Sequence, residues 1–279
     1  YIQNILKEDG LVEGELKKLN ITCHRVAWDD DFNLSGFRFA LFRTTWNYFD
    51  QFYRFKKFLN RCKGRISLIN PYNQIIWNLN KNYLLDLNCV GINIPETYII
   101  KKKTSLVDFC GKKNLENIVI KPCVSAAAWK TYHLKEGEID DFEISFNALV
   151  SKQEMIIQSF QKNIITMGEI SLMMIGGEYS HAVLKKAKPG DFRVQDDFGG
   201  SVNSHTASLS EIKFAETVIQ SLSFTPIYAR VDVVLDNNNS IALSELELIE
   251  PEMWFRLNPD SATKMASTIR CHMSEKRRG

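Results

Sequence analysis

The sequence predicts a mixed α/β (α+β) protein made of three consecutive units. Short apolar segments alternate with amphipathic segments through the first half of the chain, which is the pattern of strands followed by helices. Two stretches in the second half alternate apolar and polar residues around a central turn signal, which predicts two hairpins. Chain breakers at Pro71, Gly91 and Pro95 separate these patterns from one another.

The N-terminal unit is predicted over residues 1–71 as a small α/β domain. Its expected elements are a helix over residues 1–19, a strand over 38–46, a helix over 50–62 and a strand over 65–69. Tyr1 is not a start residue, so we expect the natural chain to begin earlier and this domain to be truncated at its start.

The remaining units are predicted over residues 72–160 and 161–279. The central unit is expected to contain helices over 80–89 and 138–150 and strands over 98–100, 117–122 and 155–160. The C-terminal unit is expected to contain hairpins over 168–186 and 228–248, turning at Gly176-Gly177 and at 236–239, with helices over 210–222 and 260–271.

Composition argues against several classes of function. The 279 residues include 35 basic and 33 acidic residues mixed along the chain, so the net charge is only +2 and nucleic acid is not an expected partner. The six cysteines lie far apart and without zinc-site spacing, which predicts free thiols in a reducing compartment. No apolar run reaches the roughly 18 residues of a membrane span, so we expect a cytoplasmic protein with no membrane partner.

Three acidic residues fall on the two strands that the second hairpin joins. Alternation places Glu245 and Glu247 on one face of their strand, and the hairpin can set Asp232 beside them. Carboxylates crowded on one face repel one another unless a cation neutralises them, and oxygen ligands suit Mg²⁺. The alternative is a solvated polar face, because the intervening residues are apolar and would pack on the other side.

Three lysines stand where they could hold phosphate oxygens. Lys121 closes an apolar strand before a loop of small residues, and Lys81 stands at the start of a predicted helix with Asn80 as its cap. Lys185 ends the first hairpin and precedes a loop that carries Arg193 and could close over an anion. Each lysine is also compatible with an ordinary surface position, and the loop with a hairpin extension whose charge is incidental.

These features occur in an order that resembles the ATP-grasp superfamily, in particular the branch of glutathione synthetase and the O-ureido-serine cyclo-ligase that forms cycloserine. The resemblance spans nearly the whole chain. It rests on the joint order of Arg43 to Tyr48, Asn70-Pro71, Trp77-Asn78, Lys81, Gly91 to Thr97, Ile120 to Pro122, Gln158 to Phe160, Gly168-Glu169, residues 185–200, Arg230 to Asp232 and Glu245 to Pro251.

The resemblance implies an ATP-grasp fold, in which two α+β subdomains clasp ATP behind a small α/β domain. It implies a ligase that depends on ATP and Mg²⁺, with two ions and with Mn²⁺ as a substitute. Such an enzyme activates a carboxylate as an acyl-phosphate, joins it to an amine or another nucleophile, and releases ADP and phosphate. Small amino-acid-like or peptide-like substrates are implied, and a homo-oligomer is left open.

The resemblance also implies roles at matching positions. Nucleotide-binding roles fall to Lys81, Lys121, Gln158, Ser159, Phe160, Glu169 and Lys185. Metal-binding roles fall to Asp232, Glu245 and Glu247, the last replacing the asparagine that is usual in glutathione synthetases. Arg193 and Arg230 are the implied catalytic cations on the transferred phosphoryl group, and Arg256 could serve the same anion.

The substrate pocket is expected between the first domain and the nucleotide cleft. Arg43, Trp46 and Tyr48 are candidates for lining it, with core packing or a structural arginine pair as the alternative for each. In the loop after Lys121, residues 126–128 are alanines where the family has glycines, and Trp129 follows, so we expect this loop to close over ATP differently from the family's loop.

Two other functions remain open from the sequence. A metal-dependent phosphohydrolase could use the same acidic residues with water, and would not need Lys81 or Lys121. A non-catalytic nucleotide-binding module would bind ATP without releasing phosphate, since a fold alone does not determine function.

Overall fold

The computed structural model of the chain describes residues 2–125, 129–194 and 199–276, with side chains from residue 6 onward. The alanine loop 126–128 lies outside the described residues. The helices are α1 (Ile2–Lys18), α2 (Phe52–Cys62), α3 (Tyr72–Asn78), α4 (Tyr83–Cys89), α5 (Leu106–Lys113), α6 (Ile139–Val150), α7 (Asn163–Met167), α8 (Leu209–Gln220) and α9 (Asp260–Glu275). The strands are β1 (Phe39–Leu41), β2 (Ser67–Ile69), β3 (Thr97–Ile100), β4 (Ile118–Pro122), β5 (Tyr132–Leu134), β6 (Met155–Ser159), β7 (Glu169–Ile175), β8 (Glu178–Lys186), β9 (Ser201–His205), β10 (Tyr228–Leu235) and β11 (Ile241–Glu247).

The N-terminal part contains a two-stranded parallel sheet of β1 and β2, with α2 between them in the chain. Helix α2 is amphipathic and buries Phe55 and Leu59 completely. The strand predicted over residues 38–46 is confirmed only at β1. Beyond Leu41 the chain leaves the sheet and turns, with the Tyr48 amide donating to the Thr45 carbonyl at 3.0 Å.

The central part contains a four-stranded antiparallel sheet in the order β3-β6-β4-β5. Helix α5 and strand β5 were not predicted, although Ser105 caps α5 by accepting from the Asp108 amide, a recognisable start signal. The helix predicted from residue 80 begins only at Tyr83. The Asn80 side chain accepts from the Asn82 amide and the Lys81 amide donates to the Cys123 carbonyl, so Asn80 does not cap the helix.

The C-terminal part contains a five-stranded sheet in the order β11-β10-β7-β8-β9. Both predicted hairpins are confirmed. Gly177 in the first turn has a φ of +84°, and a Cβ there would lie 2.7 Å from Cγ2 of Thr225, so the turn requires glycine. The loop after Lys185 ends in strand β9, which was not predicted and pairs with β8. Among the described residues, no helix combines the length and apolar character needed to cross a membrane.

Helix α4 packs on the C-terminal sheet rather than on the central one. Tyr83, Leu84 and Leu87 belong to the same buried cluster as Leu172 and Val231 of that sheet. The four-stranded sheet has its own core, around Ile118 and Phe146. Judged by core packing, the central subdomain therefore begins after α4. The predicted boundary at residue 72 lies before α4 and stays a prediction.

Strand β11 is an edge strand whose outer side is covered by side chains instead of a further strand. The Asn78 amide group donates to the Leu246 carbonyl and accepts from the Leu248 amide, both at 2.8 Å. Asn70 donates to the Leu248 carbonyl at 2.8 Å, and the Tyr83 hydroxyl accepts from the Leu246 amide at 3.1 Å. These contacts satisfy the edge and hold it against slipping.

Candidate active site

A cleft of about 420 Å³ opens between the four-stranded and the five-stranded sheets. It brings together most of the predicted site residues, namely Trp46, Lys81, Lys121, Gln158, Ser159, Phe160, Glu169, Lys185, Arg193, Arg230, Asp232, Glu245 and Glu247. A wider and more open pocket of about 810 Å³ lies beside Asp31 and Arg61 in the N-terminal part and is lined by none of them. We therefore place the candidate active site in the smaller cleft.

The three predicted metal ligands are neighbours in this cleft. The register of β10 and β11 sets Asp232 opposite Glu245 and Arg230 opposite Glu247. One carboxylate oxygen from each acid lies within 4.8 Å of the other two. Asp232 is 1% exposed and the side chains of Glu245 and Glu247 are each 29% exposed, so the trio lines a cleft and is not the fully solvated face that the sequence left open.

Each carboxylate of the trio has a cationic partner from the protein. Arg230 donates from Nε to Oδ1 of Asp232 at 2.9 Å and from Nη2 to Oε1 of Glu247 at 2.6 Å. Lys81 Nζ lies 2.9 Å from Oε1 of Glu245. Lys185 pairs with Oδ2 of Asp232 at 3.2 Å and with Glu169. The cleft thus holds a network of alternating charge.

The balance of charge differs among the acids. Burial opposes ionisation of Asp232, but Arg230 and Lys185 overcome it and hold the pKa of Asp232 below its ordinary value. Burial raises the pKa of Glu247 to about 7, and repulsion from Glu245 and Asp232 adds to the rise against the attraction of Arg230. The protein's own cations therefore leave room for further positive charge. The oxygen-only donor set with incomplete neutralisation fits a bound Mg²⁺.

Two lysines face the acids from other elements. Lys121 reaches the cleft from β4, and no ion-pair partner for it is found among the described residues. Burial lowers the pKa of Lys121, although nearby Glu245 acts in the opposite direction. Lys81 Nζ also donates to the Ser125 carbonyl at 2.6 Å, which ties it to the start of the loop after β4. Both ammonium groups are placed to meet an anion.

The far end of the cleft is aromatic and tightly braced. Phe160 follows β6 and stacks on His133, with ring centroids 3.9 Å apart and 20° between the planes. Phe192, from the loop after β8, meets His133 edge-on at 5.2 Å. The Gln158 side chain donates to the Thr97 hydroxyl at 2.8 Å and is buried. A flat apolar end of this kind suits a nucleobase.

The β10–β11 turn braces the junction between the two sheets, which the sequence did not reveal. The Asn237 side chain donates to the Phe160 carbonyl at 2.9 Å, and its amide donates to the Gln161 side chain at 3.0 Å. In the segment that connects α4 to β3, the Asn93 side chain donates to the Asp236 carboxylate at 3.0 Å. The signal for it is the polar run at 236–239, which we interpreted only as a turn.

Arg193 lies on the loop that lines the cleft opposite the acids. The Arg193 guanidinium pairs with Oδ2 of Asp191 at 2.8 Å. Hydrogen bonds from the Arg193 side chain are the main reason that the pKa of Asp191 lies below its usual range. Arg230, by contrast, is buried among the carboxylates of the trio. Its guanidinium centre lies 5.1 Å from the centre of the Trp254 ring.

Of the residues predicted to line the substrate pocket, one lies in the cleft and two lie outside its described lining. Trp46 lines the cleft. Arg43 pairs with Asp9 at 3.0 Å, which is the structural arginine pair that the sequence left open. Tyr48 is buried in the aromatic core of the N-terminal part, 5.1 Å from the ring centre of Phe55, and is not among the described lining residues. Apolar spacing alone does not separate a core position from a cleft position.

Arg256 is also placed away from the described lining of the cleft. It pairs with Oε1 of Glu252 at 2.6 Å and with Glu8 of α1. These bonds connect the segment after β11 with the first helix. The structure thus places Arg256 between two parts of the chain.

The segment of residues 249–254, here called the strap, follows β11 and was not predicted to contribute to the site. Glu250, Glu252 and Trp254 are buried residues that line the cleft, whereas Pro251 and Met253 alternate with them and are buried outside its described lining. The alternation of acidic and apolar residues after Leu248 is the signal that was available. The acidic residues predicted on β11 are followed by two more, Glu250 and Glu252, beyond the end of that strand.

His181 anchors the strap and should make stability depend on pH. Its Nε2 donates to the Met253 carbonyl at 2.8 Å, and its Nδ1 bonds the Ser261 hydroxyl at 2.9 Å. Burial lowers the pKa of His181 from 6.5 to about 4. The unfolded chain therefore binds the extra proton first, and stability falls as pH drops below about 6.5.

We expect His181 to lower the free energy of unfolding by about 2 kcal/mol when the pH falls from about 6.5 to about 5. Urea unfolding at both pH values measures it. A His181→Gln variant should lose that part of the pH dependence, while a variant of the exposed His24, His24→Gln, should keep it. Equal pH dependence in all three proteins would contradict the assignment.

Comparison with known proteins agrees with this geometry. Residues 83–251 match the family described as prokaryotic glutathione synthetase, ATP-grasp domain, and residues 1–70 match the N-terminal domain of D-cycloserine synthetase DcsG. The cycloserine biosynthesis protein DcsG of Streptomyces lavendulae is 26% identical over 272 residues, covering 91% of this chain and 89% of that protein.

Solved structures show the same fold. The crystal structure of D-cycloserine synthetase DcsG aligns with a TM-score of 0.87 at 22% identity, covering 95% of this chain and 94% of the other. The D-alanine–D-alanine ligase of Bacillus anthracis aligns with a TM-score of 0.68 at 16% identity, covering 99% of this chain and 95% of the other.

The two sheets and the charged cleft between them define a protein of the ATP-grasp class. More particularly, the chain belongs to the family of the prokaryotic glutathione synthetase ATP-grasp domain, and it is an ATP-dependent ligase of that class. The predicted fold class and the resemblance noted from the sequence are confirmed. The role of each site residue stays a prediction.

Proposed function

We propose that the protein activates a small carboxylic acid as an acyl-phosphate at the expense of ATP and joins it to an amine. The observation that carries this proposal is the layout of one cleft, in which Lys81 and Lys121 face the acids Asp232, Glu245 and Glu247. A phosphate chain between lysines and metal-binding carboxylates is the arrangement that phosphoryl transfer requires.

We infer the orientation of the nucleotide from the residues that line the cleft. The adenine would lie at the aromatic end beside Phe160, next to the backbone that follows β6. The phosphates would then point toward the lysines, with Lys185 and Glu169 on the floor between them. Glu169 and Lys185 pair with each other, so this ion pair would stabilise the cleft lining as well as face the nucleotide.

Asp232, Glu245 and Glu247 would hold Mg²⁺, which neutralises charge on the transferring phosphoryl group when it is bound. Arg230 orients two of these carboxylates through its paired bonds and supplies positive charge at the same place. Lys81 fixes the third. The protein's part is to hold the three acids in one cluster before the nucleotide arrives.

The substrate carboxylate would attack the γ-phosphorus of ATP, forming an acyl-phosphate and releasing ADP. The amine then attacks the acyl carbon, loses a proton, and expels inorganic phosphate. Arg193, which lines the cleft from the loop, would steady the charged phosphoryl oxygens. Contact of Phe192 with His133 joins the loop to the central subdomain and helps to keep water from the intermediate.

Removing the charge of Lys121 should reduce catalysis strongly. In a Lys121→Met variant we expect Mg²⁺-dependent ADP release to fall by at least about a hundredfold, because a cation that would face the phosphates is lost. ADP release is measured with a panel of carboxylic acids and hydroxylamine, which captures an acyl-phosphate as a hydroxamate. Hydroxamate should fall in parallel with ADP.

Lys112→Met, in the last turn of α5, is the matched control and should leave both products unchanged. ADP release without any hydroxamate in the wild-type protein would contradict the acyl-phosphate and favour the phosphohydrolase. Binding of ATP without ADP release would favour the non-catalytic module.

A further inference from the structure

The strap is held in place by its backbone. Five consecutive carbonyls, of residues 249–253, each accept a hydrogen bond from a different side chain. The donors are Tyr228 Oη at 2.6 Å, Trp46 Nε1 at 3.3 Å, Arg43 Nη1 at 3.0 Å, Arg230 Nη1 at 3.3 Å and His181 Nε2 at 2.8 Å. Side chains on such a segment are presented to the cleft with little freedom.

The strap also carries local strain where it meets the cleft. Trp254 has a φ of +46°, a left-handed conformation that is rare for a bulky residue. Its ring lies under the Arg230 guanidinium and is 5.8 Å from Nζ of Lys185. Strained backbone of this kind persists where the surroundings impose it, and it concentrates at ligand sites.

Among the described acidic residues that line the cleft, one has no charged partner. Asp232, Glu245, Glu247 and Glu169 pair with Arg230, Lys81 or Lys185, and Glu252 pairs with Arg256. The Glu250 carboxylate has neither a hydrogen bond nor an ion pair within the described part of the chain. It is nevertheless only 7% exposed and lines the cleft.

An unpaired buried carboxylate is unfavourable, so Glu250 does not serve the stability of the ligand-free protein. Burial, with repulsion from Glu247 second, raises the pKa of Glu250 well above its ordinary value, and Lys81 and Arg230 only partly oppose this. A cationic group from a ligand would restore the charge balance. The indole rings of Trp46 and Trp254 line the same cleft, and such rings favour ammonium groups.

We propose that Glu250 binds the protonated amino group of a substrate, so that the ligase selects an amine-bearing compound. This inference rests on the proposed function and narrows its substrate class. The amino group belongs either to the acid that is activated, which makes it an amino acid, or to a separate amine before it loses its proton. Both have the same charge and hydrogen-bond donors, so Glu250 serves either.

The test uses the full chain with Mg²⁺ and a non-hydrolysable ATP analogue. Thermal unfolding is measured with the proteinogenic amino acids in both configurations, with the matching 2-hydroxy acids, and with the matching decarboxylated amines. We expect at least one amine-bearing compound to bind at least about tenfold more tightly than its hydroxy counterpart. Preference for the amino acid assigns the group to the acid, and preference for the decarboxylated amine assigns it to the nucleophile.

In a Glu250→Gln variant the preferred compound should bind about tenfold to a hundredfold more weakly, and its hydroxy counterpart should bind as before. The melting temperature of the ligand-free variant should not fall, because the Glu250 side chain makes no hydrogen bond or ion pair within the described residues that glutamine would lose. Glu178→Gln, a change at an acid with a 78% exposed side chain, is the matched control and should keep the preference.

The absence of any amine preference in the wild-type protein would overturn the proposal, as would equal weakening of both compounds in Glu250→Gln. A lowered melting temperature of the ligand-free variant would assign Glu250 a structural role instead. Loss of the shift caused by Mg²⁺ and nucleotide would place Glu250 in the metal site. Failure of the proposed function is distinct, because the wild-type protein would then release no ADP, or release it without forming hydroxamate, whatever its preference for amines.

Discussion

An Asp232→Asn variant should lose the stabilisation that ATP and Mg²⁺ together give the wild-type protein, and its ADP release should fall by at least about a hundredfold. Asp232 is the most buried of the three acids and lies between Arg230 and Lys185. Its replacement removes a metal ligand and the counter-charge of two cations together. The measurement is thermal unfolding with ATP, with Mg²⁺, and with both.

The same change should also lower the stability of the ligand-free protein. Arg230 and Lys185 are buried, and a neutral partner leaves part of their charge uncompensated, at a cost of about 3 kcal/mol. Glu247→Met separates the two effects, because Arg230 keeps its bonds to Asp232 while one oxygen ligand of the metal is lost. Glu247→Met should therefore lose the Mg²⁺-dependent shift with a smaller change in stability.

Asp140→Asn, at an exposed position in the first turn of α6, is the control and should behave as the wild type. If Asp232→Asn and Glu247→Met both kept the full Mg²⁺-dependent shift, the three carboxylates would not be the metal site. If the wild type showed no shift with ATP and Mg²⁺, the ligase proposal itself would be wrong.

An Asn70→Ala variant should have the largest effect on folding. Asn70 is completely buried and donates from Nδ2 to the carbonyls of Tyr228 and Leu248, at 2.7 and 2.8 Å. Its Oδ1 accepts from the Ile227 amide at 2.7 Å. Alanine would leave three buried backbone groups without partners, so we expect a loss of about 4 kcal/mol of unfolding free energy.

Urea unfolding measures this loss. Asn60→Ala, at an exposed position where Asn60 accepts from the Tyr72 hydroxyl at 2.6 Å, should change stability by less than about 0.5 kcal/mol. A loss below about 1 kcal/mol in Asn70→Ala would mean that water or rearranged backbone replaces the amide, and that the bridge to the sheet is not specific.

Sequence patterns predicted the elements that short-range pairing determines. The second hairpin brought Asp232, Glu245 and Glu247 together as expected, because its register follows from a local turn and from alternation along two strands. Strand β9 escaped prediction because it is mostly exposed and its partner β8 is separated from it by a loop. Tyr48 shows that residue type alone does not predict location, because an aromatic residue after a strand is equally suited to a core and to a pocket.

The sequence by itself determined the mixed fold, the two hairpins, the acidic trio and the likeness to ATP-grasp ligases, because each depends on periodicity or on residues in a recognisable order. Only the tertiary structure decided which charges are paired. The strap draws its five donors from the β1–α2 connection, β8 and β10. Within the described part of the chain Glu250 has no ion-pair partner, and Lys81, Lys185 and Arg230 pair with other acids. Such pairings join residues far apart in the chain, and no local pattern specifies them until the packed core has brought their elements together.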